Sequence, residues 1–329
     1  MPRLGLGTWL GYNDDITSAV EHAIDIGYRH LDCAHIYLNE MDVGKAIAKK
    51  IEEKVVKRED LFITGKLWNA FHKPELVEEG LNYTLKHLNV EYLDLFLIHW
   101  PTSTELRENW PENPRDSPDK MENGEIVFRN DGEDAPYLKT WRKMEDLLAT
   151  GKIRAIGLSN FSWVQWQKII KNCRVLPHMM HLEMNPISQH PEMLEFAKER
   201  KIAVTGYAPM GCGGRPSVCF GTSDAHKNNA IETLESDSVV LKNPVLVGIG
   251  KKYGKTAAQV CVRFGIQRGY VVIPKSVKKE RVSENCDVFD FELSEADMKS
   301  VYGLNQNKKL VCNPHFYPSP YYPLKYNHF

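Results

Sequence analysis

The sequence lacks a hydrophobic run that could cross a membrane, since no stretch approaches the ~18 consecutive apolar residues that a spanning helix needs. It also lacks an excess of charge of either sign, because 42 Lys+Arg stand against 43 Asp+Glu. That balance provides no field to hold a nucleic-acid backbone or an anionic membrane. The first residues, MPRLGLGTWLGY, lack the pattern of a secretory signal. We therefore expect neither nucleic acid nor a membrane as a partner.

The cysteines form neither a disulfide framework nor a metal site. There are seven of them, an odd number, scattered and without a C-x-x-C pair. Free thiols are typical of a reducing compartment, so we expect a cytoplasmic protein. No H-E-x-x-H motif or cysteine cluster is present, and we predict no metal. With 42% hydrophobic residues, the chain has enough apolar side chains to bury a core.

Short apolar, β-branched segments alternate with segments of helical periodicity along the whole chain. The predicted strands are 4–8, 29–33, 61–66, 92–99, 153–159, 179–184, 202–207 and 271–275. The predicted helices are 13–27, 42–51, 74–87, 137–150, 163–171, 191–200, 256–267 and 294–302. Several strands are apolar on nearly every residue, which indicates that both of their faces are covered.

Eight strands that alternate with helices predict an α/β protein of the (β/α)8 TIM-barrel class, with parallel strands. Such a barrel needs ~250 residues. Two segments without clear periodicity, 101–136 and 208–244, hold most of the remainder, as long loops after strands 4 and 7. Loops of this kind build active sites at the C-terminal face of the barrel. No linker is visible, so we predict one domain over residues 1–329.

Polar and aromatic side chains stand at or just past the ends of the predicted strands. They are Trp9, Asp32, Lys66, His99, Trp100, Ser159, Asn160, Glu183, Tyr207, Lys275 and Ser276. Tyr37 follows Asp32 by five residues, and a tyrosine is a poor acid at neutral pH unless a cation stabilises its phenolate. Lys66 can supply that charge, Asp32 can orient Lys66, and His99 can form a hydrogen bond with a substrate oxygen. An ordinary ion pair and a surface tyrosine are the alternative interpretation.

Four segments of the sequence resemble the signatures of the aldo-keto reductase family. They are GYRHLDCAHIYLNE at 27–40, LIHWP at 97–101, GKIRAIGLSNF at 151–161 and IPKS at 273–276, the last with Arg281, Glu284 and Asn285. The segments occur in the family's order and at similar spacing from Met1 to the tail. The resemblance is greatest to the aldose and aldehyde reductase branch.

The resemblance implies a barrel that binds NADPH across its C-terminal mouth and reduces a carbonyl group by hydride transfer. Asp32, Tyr37, Lys66 and His99 match the family's catalytic residues, with Tyr37 as the general acid. The implied cofactor-binding residues are Thr8, Ser159, Asn160, His181, Tyr207, Pro209, Met210, Lys275, Ser276, Arg281, Glu284 and Asn285. Among these, two cations and a hydroxyl match the contacts to the adenosine 2′-phosphate, which favours NADPH over NADH.

The implied substrate pocket has an apolar wall made of Trp9, Trp68 and Trp100. We expect small aldehydes as substrates, with aldoses as one candidate class, and a tail over 303–329 that covers the site. A barrel that binds cofactor as a regulatory or structural protein is one alternative, and a ketone- or steroid-directed reductase is another. We expect a monomer, and the aromatic tail leaves a dimer open.

Three features depart from the family pattern. The hairpin that usually precedes the first barrel strand is missing, so we expect a more exposed barrel bottom. His181 stands where most relatives have a Gln that binds the carboxamide, and we expect cofactor affinity to depend on pH through it. The segment 211–242 is longer than the family's cofactor-clasping loop, and we expect it to fold over the pyrophosphate.

Overall fold

A computed structural model of the chain describes residues 1–110, 115–129, 132, 135–211, 240–311, 314–316 and 318–323. Its strands are β1 (Leu6–Gly7), β2 (His30–Asp32), β3 (Phe62–Leu67), β4 (Leu95–Ile98), β5 (Met121–Glu122), β6 (Glu125–Ile126), β7 (Ile156–Ser159), β8 (Met179–Glu183), β9 (Ala203–Tyr207) and β10 (Val271–Val272). All but β5 and β6 form one sheet, in the order β1-β2-β3-β4-β7-β8-β9-β10, with every neighbour parallel.

The sheet closes between its first and last strands. Parallel bridges join Leu4 to Val272 and Gly7 to Lys275. The backbone N–H of Gly5 also donates to the carbonyl oxygen of Val272 over 2.9 Å. The predicted (β/α)8 barrel is therefore confirmed, and the carboxyl ends of its strands meet at one mouth.

The helices are α1 (Asn13–Asp25), α2 (Glu40–Glu52), α3 (Pro74–Leu88), α4 (Tyr137–Leu147), α5 (Trp163–Asn172), α6 (Pro191–Glu199), α7 (Pro244–Tyr253), α8 (Ala257–Gln267), α9 (Lys279–Cys286) and α10 (Glu295–Tyr302). Local signals fix several of their starts. Capping boxes open α5 at Ser162 and α8 at Thr256. Gly27, with φ +103°, turns the chain out of α1 toward β2 at the end of the predicted helix 13–27. Within the described residues, no helix is long and apolar enough to cross a membrane.

Two helices were missed by the sequence prediction. The interior of α7 contains Gly248 and Gly250, which weaken helix propensity. The short helix α9 buries only Val282 and Asn285, so it carries almost no apolar periodicity. The predicted strands were also too long: 92–99 shortens to β4 and 271–275 to β10, because Leu93 and Lys275 form isolated bridges rather than continuous ladder pairing.

The connection after β4 is more regular than predicted. It contains the antiparallel hairpin β5–β6, whose two-residue turn, Asn123-Gly124, has φ values of +52° and +81°. An Asn-Gly pair between short strands is a strong hairpin signal, and the sequence contained it. Arg115 forms two hydrogen bonds of 3.0 Å with the carboxylate of Asp42 on α2. We name the described residues 101–110 and 115–129 the β4 arm, and these contacts fix it to the barrel.

The second long connection follows β9. The structure describes it up to Gly211 and again from Val240, so residues 212–239 lie outside the described part of the chain. The expectation that this segment folds over the pyrophosphate therefore stays a prediction.

Candidate active site

Lys66 lies at the centre of a buried polar cluster at the ends of β2 and β3. Its ammonium donates to the carboxylate of Asp32, to the carbonyl oxygen of Cys33 over 2.9 Å and to the hydroxyl of Tyr37 over 3.2 Å. Tyr37 reaches this position because a single 3-10 turn, His35–Tyr37, follows β2 and ends at Leu38 with φ +57°. Three acceptors therefore satisfy the three N–H groups of a fully buried ammonium.

The pKa values of this cluster keep its charges in place at neutral pH. Burial alone would raise the pKa of Asp32, but Lys66 and His181 hold it well below its usual range. Burial alone would lower the pKa of Lys66, whereas Asp32 and Tyr37 raise it above its ordinary value. Burial raises the pKa of Tyr37 to about 12, although Lys66 acts in the opposite direction. Lys66 therefore acts on the phenolate in the direction that the sequence suggested, while desolvation of the phenolate is the larger effect.

His99 follows β4 and lies beside Tyr37. The two rings meet edge to face, with centroids 5.7 Å apart. Burial, with Lys66 nearby, lowers the pKa of His99 well below its usual value, so its imidazole is neutral. A neutral imidazole and a protonated phenol are both hydrogen-bond donors, and both side chains line the same cavity.

That cavity has a volume of about 670 Å³ and runs across the mouth of the barrel. Its lining includes Asp32, Tyr37 and His99 from the predicted catalytic residues. It also includes the whole predicted cofactor-binding set, which is Thr8, Ser159, Asn160, His181, Tyr207, Pro209, Met210, Lys275, Ser276, Arg281, Glu284 and Asn285. Lys66 lies beneath the cavity wall, behind Asp32 and Tyr37.

A hydrogen-bonded group of side chains lies beside the catalytic end of this cavity. Asn160 has φ +63°, a left-handed conformation that Asn tolerates, and its amide donates to the carbonyl oxygen of His99 over 3.0 Å. The same amide donates to the hydroxyl of Ser159 over 3.1 Å. Tyr207 donates to the amide oxygen of Asn160, and its ring stacks on His181 with centroids 5.2 Å apart.

The cavity lining also includes the charged side chains of Lys275, Arg281 and Glu284. Lys275 donates to the carbonyl oxygen of Leu10 over 3.0 Å. Arg281 is exposed on the first turn of α9. Glu284, one turn further along, accepts a hydrogen bond of 2.6 Å from Thr256. Lys275, Ser276 and Arg281, which the resemblance assigns to a phosphate group, therefore line the same cavity.

Only two of the three predicted pocket tryptophans line the cavity, Trp9 and Trp100. Trp68 is fully buried, and its indole N–H donates to Asp119 of the β4 arm over 2.9 Å. Its ring packs between His99 and Phe316, with centroid distances of 5.4 Å and 5.7 Å. Trp68 thus supports the wall from behind.

Sequence reasoning missed how the tail is held over the mouth. Glu183, the last residue of β8, accepts from the backbone N–H groups of Leu310 and Val311 over 2.9 Å and 2.8 Å. Both tail residues line the cavity. Phe316 packs edge to face on Trp100, with centroids 5.5 Å apart. Glu183 stood among the strand-end residues, but its partners lie more than 120 residues further along the chain.

Comparison with known proteins agrees with this architecture. The sequence model of the Aldo/keto reductase family matches residues 3–306. The chain is 38% identical to aldo-keto reductase family 1 member A1-A of Danio rerio and 36% identical to the member A1 of Homo sapiens, with 94% of the chain and 88% of each relative covered. The structure of the aldose reductase from Schistosoma japonicum superposes with a TM-score of 0.84 at 34% identity, covering 100% of the chain and 96% of that protein. The chain therefore belongs to the aldo/keto reductase family.

Proposed function

We propose that this protein reduces aldehydes to alcohols with NADPH, and that Tyr37 is the general acid. The observation that carries the proposal is the meeting of Tyr37 and His99 at one end of the cavity, with Lys66 donating to the Tyr37 hydroxyl from beneath. The names of the relatives as aldo-keto and aldose reductases support carbonyl reduction as the reaction class.

The chemistry of the cavity fits a nicotinamide dinucleotide with a 2′-phosphate. Ser159 and Asn160 offer hydroxyl and amide groups suited to a carboxamide, and the ring of Tyr207 offers a face for stacking. Lys275 and Arg281, which line the same cavity, offer cations for the phosphate. A volume of about 670 Å³ lies within the range of ligand sites. When bound, the reduced nicotinamide would supply a hydride to the carbonyl carbon.

The side chains of the protein would handle the oxygen of the substrate. Tyr37 and His99 donate hydrogen bonds to the carbonyl oxygen and stabilise the negative charge that develops there. Tyr37 then gives up its proton to this oxygen. Lys66 stabilises the phenolate that remains, and Asp32 keeps the ammonium oriented toward it.

The walls of the cavity favour small aldehydes with an apolar part. Trp9 and Trp100 present aromatic surface, and Leu310 and Val311 of the tail add aliphatic surface. Phe316 and Tyr322 pack on Trp100 and restrict the space beyond it. Aldoses remain a candidate class among these substrates.

Cofactor binding tests this proposal. We expect wild-type protein to bind NADPH more tightly than NADH, measured by quenching of tryptophan fluorescence. Arg281→Met should weaken NADPH binding about 10- to 100-fold, because a charge-assisted phosphate contact is lost, and should change NADH binding less than about 2-fold. Arg200→Met, at an exposed arginine that does not line the cavity, is the control. Equal affinity for both cofactors in the wild type would contradict the proposal.

A further inference from the structure

We propose that His181 is a positioning residue that joins Ser159 to Asp32 in a buried hydrogen-bond relay. Through this relay, the groups at the carboxamide end of the cavity are coupled to the Asp32–Lys66–Tyr37 cluster. The inference rests on the proposed function for its catalytic consequence, whereas the relay itself is a property of the protein alone.

The relay is a continuous chain of contacts between three strands. The Nδ1 atom of His181, on β8, lies 2.9 Å from the hydroxyl oxygen of Ser159, on β7. Its Nε2 atom lies 3.2 Å from Oδ2 of Asp32, on β2. Lys66 binds the other carboxylate oxygen, Oδ1. All of these side chains are buried, so the contacts are shielded from bulk solvent.

The charges in the cluster determine the proton positions in the relay. Asp32 is ionised because its pKa is held well below the usual range, so both of its oxygens only accept hydrogen bonds. The Nε2 atom of His181 must therefore carry a proton. In a neutral ring, Nδ1 is then an acceptor, and the hydroxyl of Ser159 must donate to it. The oxygen of Ser159 still accepts from the amide of Asn160.

The surroundings of His181 favour the neutral ring. The titratable and charged groups around it are His30 and Asp32 from β2, Lys66 from β3, His99 after β4 and Tyr207 from β9. Burial lowers the pKa of His181 below its ordinary value, although Asp32 acts in the opposite direction. The pH dependence of cofactor affinity expected from the sequence therefore moves to more acidic pH.

Protonation or loss of the ring would change both ends of the relay together. A protonated His181 would donate from Nδ1, so the hydrogen bond with Ser159 would reverse. It would also put a second cation beside the carboxylate of Asp32 and weaken the ion pair between Asp32 and Lys66. An apolar residue at 181 would leave one oxygen of Asp32 without its donor.

The first test observes the relay without turnover. In protein labelled with ¹⁵N-histidine, two-bond ¹H–¹⁵N spectra report the tautomer of each imidazole, and His181→Gln identifies the signal. We expect neutral His181 with the proton on Nε2 at pH 7. Ser159→Ala should leave this tautomer unchanged, because Asp32 determines it. A proton on Nδ1, or a cationic ring at pH 7, would overturn the proposal.

Asp32→Asn gives a sharper prediction. The amide oxygen should turn toward Lys66, which only donates, and the amide NH₂ should then face Nε2 of His181. The ring must accept there, so its proton should move to Nδ1. An unchanged tautomer in this variant would contradict the relay. If the variant does not fold, the wild-type and Ser159→Ala spectra still test the predicted tautomer of His181.

The second test separates positioning from simple cofactor contact. His181→Leu should lower kcat about ten-fold or more, because Asp32 loses a donor in a buried site. His181→Gln, whose amide offers one donor and one acceptor, should restore kcat to within about 3-fold of wild type. A higher Kd for NADPH with unchanged kcat in His181→Leu would refute the coupling. If the tautomers are as predicted but wild-type protein reduces no carbonyl, the relay stands and the proposed function fails.

Discussion

Replacing Glu183 by Gln should loosen the tail at the mouth of the barrel. The two carboxylate oxygens accept from the consecutive N–H groups of Leu310 and Val311, and Oε1 also accepts from the amide of Asn185 over 3.1 Å. In the glutamine variant, one oxygen can keep the bonds to Leu310 and Asn185. The amide NH₂ then faces the N–H of Val311, and two donors meet.

The size of the effect follows from this count of contacts. One charge-assisted hydrogen bond is lost, which costs about 1.5–3 kcal/mol. A neutral amide is easier to bury than a carboxylate, and burial does raise the pKa of Glu183, so part of this cost is recovered. We expect the free energy for local opening of the tail to fall by about 1.5–2 kcal/mol, the lower part of that range. The open fraction should therefore rise about 10- to 30-fold.

Amide hydrogen exchange measures this opening directly. In the glutamine variant, a peptide that contains Leu310 and Val311 should exchange about 10- to 30-fold faster than in wild type. The amide of Phe96, bonded to Ala155 within the barrel, should not change. Glu192→Gln, at an exposed position on α6, is the matched control. Exchange within about 2-fold of wild type would refute the inference that Glu183 holds the tail.

Two further predictions concern stability, both measured by urea unfolding. A Cβ at Gly44 would lie 2.4 Å from the carbonyl oxygen of His87, so Gly44→Ala should destabilise the protein by about 1–3 kcal/mol. A Cβ at Gly248 would have no described atom within 4 Å, so Gly248→Ala should instead stabilise the protein by about 0.5–1 kcal/mol. Equal changes in the free energy of unfolding for the two variants would contradict the packing of α2 on α3. Because the folded-state pKa of Asp32 is depressed by Lys66, its stabilisation is present above about pH 4 and lost as pH falls. Asp32→Asn should therefore be less stable than wild type at pH 7, and the difference should shrink below about pH 4; a constant difference would count against the ion pair.

The residues around the cavity could be predicted because of how a parallel barrel is built. Every strand delivers its carboxyl end to the same face, so polar side chains at strand ends must meet. Asp32 and Tyr207 are separated by 175 positions in the chain, yet both line one cavity. The resemblance to a family then supplied their roles, which spacing alone left open.

Other features depend on packing that the sequence does not display. Trp68 was predicted to line the pocket, but Asp119 of the β4 arm binds its indole and Phe316 of the tail covers its ring. Neither partner is close to Trp68 in the chain. The pKa of Tyr37 could not be predicted from the sequence either, because it depends on the balance between burial and Lys66. To predict such a balance, one must know how deeply the phenol is buried, and the spacing of residues in the sequence does not show this.

The central claim is that Tyr37 is the general acid of an NADPH-dependent aldehyde reductase. It is tested most directly by following NADPH oxidation with glyceraldehyde in wild type and in Tyr37→Phe, with NADH as the control cofactor. We predict turnover by wild-type protein, and a loss of at least about 100-fold in Tyr37→Phe, because the proton donor is removed. The Kd for NADPH should stay within about 3-fold, since Phe retains the ring. Absence of wild-type turnover despite NADPH binding, or near-normal activity of Tyr37→Phe, would contradict the account.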